Sequence, residues 1–346
     1  MIQTTLCCAM ALSIFSVKVA LYGADLSTPL SLHWRKSTPL PEPRAGYAAG
    51  IVHGKLVIAG GTYWEGKKGY WKKKLFTAST HAFDPIAQKW EKLPDAPFPF
   101  GYAASVTVSD RLYVMGGHTG QQANRKILVL EKTGNGYAWS FHGNLPDTRL
   151  FAGAVSLGSS IYILGGTLEF EPYDAVGTCC TSKTAINNLM VLDTAKPSLG
   201  WRELTGFPGD KRWSFSRVVD DKSIWMFGGK YQETAKDSVR RFDEVLRYQI
   251  STGTWEHMAP LPKALRDATP LTPVLVGGKI IFMSFAKKVW QFDLATMKYS
   301  ELSPLTEEAF VDKFFWLNNQ VIGAGGENKI EGPRRRSEWT FVADVK

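Results

Sequence analysis

The stretch GGENKIEGPRRR, residues 325–336, sets one carboxylate directly after a Gly pair and three guanidinium groups a few residues later. Glu327 is tethered to the Gly pair rather than carried at a loop tip. A carboxylate held this way can pass a proton to or from a hydroxyl while a guanidinium clamps an anion through paired N–H donors. Nearby cations favour its ionised form and therefore the role of base. A purely structural Glu–Arg pairing would use the same residue types. Lys329, Arg334 and Arg335 are the cations of this loop that could meet an anionic ligand.

A second basic segment, GTYWEGKKGYWKKKLF, interleaves Trp64 and Trp71 with lysines. Aromatic faces beside ammonium groups suit a sugar acid, because rings stack on the sugar and cations meet its carboxylate. A solvated basic loop is the alternative for the lysines. His118, in GGHTG, is either a loop hydrogen-bonder or a proton carrier. Arg44, Arg149, Arg212 and Arg266 recur at one position of the chain's internal period. Four guanidinium groups around one axis would make a cationic funnel, or each could hydrogen-bond loop carbonyls.

That period organises the whole chain. LVIAGG, LYVMGG, IYILGG, IWMFGG and VIGAGG end at Gly61, Gly117, Gly166, Gly229 and Gly326, and IIFMSF at residues 280–285 is a sixth copy without glycines. The copies stand about fifty residues apart, the period of a β-propeller blade. Each apolar run reads as a strand, and its Gly pair allows close backbone approach. Trp34, Trp90, Trp139, Trp201, Trp255 and Tyr299 mark the outermost strands and are expected to pack between blades. Sixteen residues before the first Gly of a pair stand Arg44, Phe100, Arg149, Arg212 and Ala309, with Arg266 in the same part of the fifth copy.

The expected fold is all-β, one six-bladed propeller over residues 25–346. The chain ends one strand short of a complete last blade, so residues 32–36 should supply the outer strand and close the ring. Strand alternation puts the Gly-pair loops and the recurring arginines on one face. GGENKIEGPRRR is then a loop of the sixth blade on that face.

The first 24 residues read as a signal peptide, with an apolar run at residues 6–17 that Lys18 interrupts, so export to the periplasm or medium is expected. No membrane attachment is expected after its removal. Cys179 and Cys180 are then the only cysteines, adjacent and without zinc-ligand spacing. The net charge of +9 favours small anionic ligands and is too dispersed for a nucleic-acid partner. Oligomeric state is not legible.

The repeats resemble kelch propellers over the whole mature chain. Within them, GGENKIEGPR is similar to the G-E-x-K-P-G-x-R loop of the sialic acid mutarotases, also called N-acetylneuraminate epimerases. The blade order is rotated, as in the cyclically permuted branch of that family. The resemblance implies Glu327 as catalytic acid–base, Arg334 as carboxylate ligand, and Lys329 and Gly332 as further loop positions. One extra residue separates Glu327 from Arg334, and Ile330-Glu331 replace a Pro, so Arg335 competes with Arg334. The implied reaction is interconversion of sugar-acid anomers, with no metal or redox cofactor. A non-catalytic propeller binding a glycan or protein on the same face is the alternative. A copper radical oxidase would need two His, two Tyr and a Tyr-linked Cys, which these residues do not supply.

Overall fold

The computed structural model describes residues 29–65, 73–169, 181–234, 236–266, 273–283, 288–306, 311–328 and 335–346. The proposed signal segment, Trp71, Cys179, Cys180, Lys329 and Arg334 lie outside them, as do the side chains of Arg266 and Arg335.

Among the described residues the strands form six four-stranded antiparallel sheets, each a blade. Blade 1 runs outward through Ala48–Val52, Lys55–Ala59, Thr80–Asp84 and Lys89–Leu93. Blades 2 to 5 repeat this order, with innermost strands Ala104–Val108, Gly153–Leu157, Ser216–Val219 and Val274–Val276. Blade 6 takes three strands from the C-terminal end, Phe314–Leu317, Gln320–Ala324 and Thr340–Val345. Its outer strand is Leu32–Lys36, paired antiparallel with Leu32 opposite Val345 and Lys36 opposite Phe341. The ring therefore closes as the missing strand required.

Packing explains the sequence pattern. Second strands are sandwiched between two neighbouring blades, so they are apolar on both faces, and every residue of Ser223–Phe227 is buried. Outer strands such as Lys89–Leu93 keep wet faces and polar residues. The core is a set of interblade clusters. One joins Tyr47, Ile58 and Phe83 of blade 1 to Ile322 and Val342 of blade 6. Outer-strand tryptophans add directed bonds: Trp90, Trp139, Trp255 and Trp34 donate from the indole to carbonyls of Thr38, Pro94, Thr205 and Ser303, each just past the preceding blade's outer strand.

The Gly pairs are interblade stitches. The amides of Gly61, Gly117, Gly166 and Gly326 donate to the carbonyls of Phe100, Arg149, Arg212 and Arg44 in the following blade. Gly116 has φ +70°, and a Cβ there would sit 2.4 Å from the Arg149 carbonyl oxygen, an atom held by this stitch. Gly116→Ala is expected to lower stability by about 3 kcal/mol or more, since left-handed backbone and a fixed carbonyl are both opposed. Gly134→Ala is the control. Its φ is +57° with no atom within 4 Å, so it should lose only about 1 kcal/mol. Urea midpoints of the two variants check this; equal losses would mean that the stitch does not matter.

Candidate functional site

The residue two past each recurring position turns the chain into the innermost strand. Gly46, Tyr102, Phe151 and Ser214 all have positive φ there. They form a chain of backbone bonds around the axis: Tyr102 N–H donates to Gly46 O, Phe151 to Tyr102, and Ser214 to Phe151. Three non-glycine residues thus hold a strained conformation because the turn must hand its amide to the preceding blade. At the sixth blade Asp312 enters this ring by its side chain, accepting the Gly46 amide at 2.5 Å. A Cβ on Gly46 would fall 2.6 Å from the Tyr102 ring, so that glycine makes room for the tyrosine.

Glu327 stands beside this ring. It opens a short hairpin, Glu327–Asn328 against Arg335–Arg336, with Glu327 directly opposite Arg336. The Arg336 guanidinium binds the Glu327 carboxylate through Nη1. Its Nε donates to the Thr62 carbonyl at 2.9 Å and its Nη2 to the Thr62 hydroxyl at 2.9 Å. Thr62 is itself pinned by backbone bonds to Ala45. Arg336 is therefore fixed on three sides. Burial pulls its pKa down, but Glu327, Tyr102 and Asp312 outweigh this and hold it raised. Arg336 partners the Glu327 carboxylate and Arg335 lies opposite Asn328, while Arg334 and the Arg335 side chain, expected to meet a substrate carboxylate, fall outside the described residues. Arg336 belongs to the RRR run, but only the hairpin register selects it.

A second hairpin, Thr62–Glu65 with Lys73–Phe76, forms the adjoining wall. Trp64 is half-buried and lies opposite Lys74. The Lys74 ammonium sits 5.1 Å from the Trp64 ring centre and 5.4 Å from that of Tyr102, and donates to the Tyr102 hydroxyl at 2.8 Å. Phe76 packs edge-on against Tyr102, and the His118 ring lies 5.5 Å from Phe76. His118 Nδ1 accepts the Gly120 amide at 3.0 Å, and burial lowers its pKa. This favours neutral imidazole in a loop-organising position. Glu327, Arg336, Trp64, Lys74, Tyr102 and His118 thus share one region of the face.

The arginine funnel does not form from Arg44, Arg149 and Arg212. Each is 0% exposed and runs into its own blade. Arg44 donates to Gly60 O, Ser79 O and Glu42, and meets His81 Nδ1 at 3.1 Å. Burial, and then Arg44, lower the His81 pKa to about 4, so it stays neutral beside the guanidinium. Arg149 donates to Gly165 O and Asn188 Oδ1. Arg212 pairs with Glu244 and lies 4.0 Å from the Phe242 ring centre. The recurrence is real, but it ties the first strand of a blade to its own Gly-pair loop.

Other charges reach the axis instead. Lys313, just ahead of the innermost strand of blade 6, donates to Ser105 Oγ of blade 2 at 2.9 Å, its ammonium 5.9 Å from the Tyr47 ring centre of blade 1. Arg217 of blade 4 leans over blade 3, where a Cβ on Gly153 would lie 3.2 Å from its Cδ. Burial, then Arg217, lower the Lys313 pKa to about 7, while burial raises that of Asp312 to about 6. The segment VDKFFW carried the only sequence signal, two opposite charges at the mouth of an inner strand.

Residues 69–284, more than half of the chain, match the KLHDC2/KLHL20/DRC7 Kelch-repeats domain. The chain belongs to the kelch-repeat family. This kelch propeller is 26% identical to Kelch-like protein terF of Aspergillus terreus, over 72% of this chain and 52% of that protein. It is 23% identical to Kelch-like protein 36 of Bos taurus, over 78% of this chain and 42% of that one. A shorter stretch of 146 residues is 36% identical to the N-acetylneuraminate epimerase of Yersinia enterocolitica, covering 38% of this chain and 36% of that enzyme. The chain spans about half or less of the length of these curated relatives. The propeller therefore resembles the epimerase family over part of its length.

Proposed function

We propose that this kelch propeller interconverts the anomers of a sialic-acid-like sugar acid at the Glu327 site. The observation that carries the reading is the Glu327–Arg336 pair, fixed beside the axial ring and next to the Trp64–Lys74–Tyr102 wall. The partial similarity to N-acetylneuraminate epimerase supports the same reading.

In this reaction Glu327 takes the proton of the anomeric hydroxyl as the bond from anomeric carbon to ring oxygen breaks. Glu327 passes that proton on to the ring oxygen, giving an open-chain 2-keto acid and restoring the carboxylate. Rotation about the bond between the keto carbon and the next backbone carbon presents the other carbonyl face, and the reverse steps close the second anomer. Atoms and protons balance, and nothing is oxidised or reduced. Arg336 commits each of its three nitrogens to Glu327 or Thr62, so it acts as a positioning residue that aims the carboxylate. Lys74 is the nearer choice to meet the ligand carboxylate, with Trp64 offering a stacking face.

Proton NMR of freshly released α-N-acetylneuraminate tests the proposal. Faster approach to the anomer equilibrium with the folded protein than without it is the expected result; an unchanged rate removes this sugar as substrate. The first two relatives named above are described only as kelch-like proteins, which favours a second reading, non-catalytic binding of a glycan or protein on the same face. Ligand-induced shifts without faster equilibration would select it.

A further inference from the structure

The axial channel holds more positive charge than the Glu327 site uses. Three residues from different blades stand at nearly one height. Arg217 and Ser105 are each five residues past the recurring position, at Arg212 and Phe100, and Lys313 is four past Ala309. All three therefore lie at the top of the innermost strands, just inside the ring of Gly46, Tyr102, Phe151 and Ser214. Lys313 is only 9% exposed, and its bond to Ser105 links blade 6 to blade 2 past blade 1. An ammonium has three donors, and Ser105 takes one. Arg217 Nε is buried and has no hydrogen-bond partner among the described residues. No ion pair among the described residues includes either cation. Among the described residues Asp312 is the acid that acts on Lys313, and its carboxylate is turned to the Gly46 amide.

Buried charge is normally paired, because an unpaired ion in a low-dielectric interior loses its hydration without return. Among the described residues, two cations with unspent donors stand beside one acid, an excess of positive charge at this height. We propose that Lys313 and Arg217 together bind one small carboxylate-sized anion in the axial channel. Its two oxygens would take the remaining Lys313 donors and the open Arg217 donors, and its charge would cancel the excess. Burial, then Arg217, lower the Lys313 pKa to about 7, the direction expected of a buried ammonium beside a second cation.

The experiment is thermal unfolding of the mature chain at neutral pH, in formate against a bulky sulfonate at matched ionic strength. Formate is expected to raise Tm saturably, by about 3–5 °C, with no such rise in the sulfonate. Arg217→Met should have a higher Tm than wild type without formate and should not respond to it. Lys313→Met is the second variant if the first fails to fold, and should lose the response as well. N-acetylneuraminate in place of formate identifies the source of the anion. A shift with the sugar alone, lost in Arg217→Met, supports the same site filled by the carboxylate of a larger ligand. No saturable shift with either compound in wild type, or a shift that both variants keep, overturns the proposal. The formate arm does not depend on any catalytic reading of Glu327.

Discussion

Glu327→Gln is expected to abolish catalysed anomer interconversion, lowering kcat by roughly 10²–10⁴-fold, while folding and sugar binding persist. Glutamine keeps the shape of the side chain and can still accept from Arg336, so the hairpin opposite Arg336 has no reason to open. It cannot take a proton from the anomeric hydroxyl. The companion variant is Arg336→Lys. A lysine cannot reach the Thr62 carbonyl, the Thr62 hydroxyl and the Glu327 carboxylate together, because it lacks the planar fork. Its expected effect is a fall in kcat of about 10-fold or more with KM little changed, the split that separates aiming Glu327 from binding the sugar. Anomer equilibration by proton NMR reads both variants, and the sugar's line broadening reads binding. A Glu327→Gln protein that still accelerates the reaction would remove Glu327 from the proton transfer.

The fold was legible because its signals are local and repeated. A Gly pair after six apolar residues has few other uses, and at Gly116 the reason is a carbonyl 2.4 Å from where a side chain would begin. The closing strand at Leu32–Lys36 was legible from a deficit, since blade 6 is one strand short without it. The site was legible only in part. Glu327 could be placed because it follows a Gly pair. Its partner could not, since a one-residue change in the hairpin register exchanges Arg336 for Arg335 and turns the guanidinium to the other face. The arginines misled for a related reason. Their carbonyls do meet the neighbouring blade, as in the bond from Gly326 to Arg44 O, but their side chains turn back under their own blade. Lys313 and Ser105 are far apart in sequence and meet only when the ring closes, which no local pattern encodes.

The same channel makes stability depend on pH in a form that two variants can isolate. Burial, eased by the Gly46 amide, raises the Asp312 pKa from 3.8 to about 6. The folded state then holds this proton more tightly than the unfolded chain. The group's stabilising share is full below about pH 4 and is lost as pH rises through about 6. Lys313 works in the opposite sense. Burial, with Arg217, lowers its pKa from 10.5 to about 7, so its share is full above the unfolded value and is lost as pH falls through about 7. Both losses are complete only between about pH 6 and 7. The pair should therefore give wild type a local minimum of stability there, with each arm on the order of a few kcal/mol. Asp312→Asn keeps an oxygen for the Gly46 amide but carries no charge. It is expected to be more stable than wild type at pH 6.5 and to lose that advantage by pH 4. Lys313→Met leaves the Ser105 hydroxyl its bonds to Ala49. It should be more stable than wild type at pH 6.5 and no better at pH 10. Urea unfolding at 25 °C across this range, without small anions, reads both differences. Advantages that stay constant with pH would mean that neither group changes its proton affinity on folding. A minimum that fills in when formate is added would link the titration to the anion proposed for the channel, because a bound carboxylate restores the charge on Lys313.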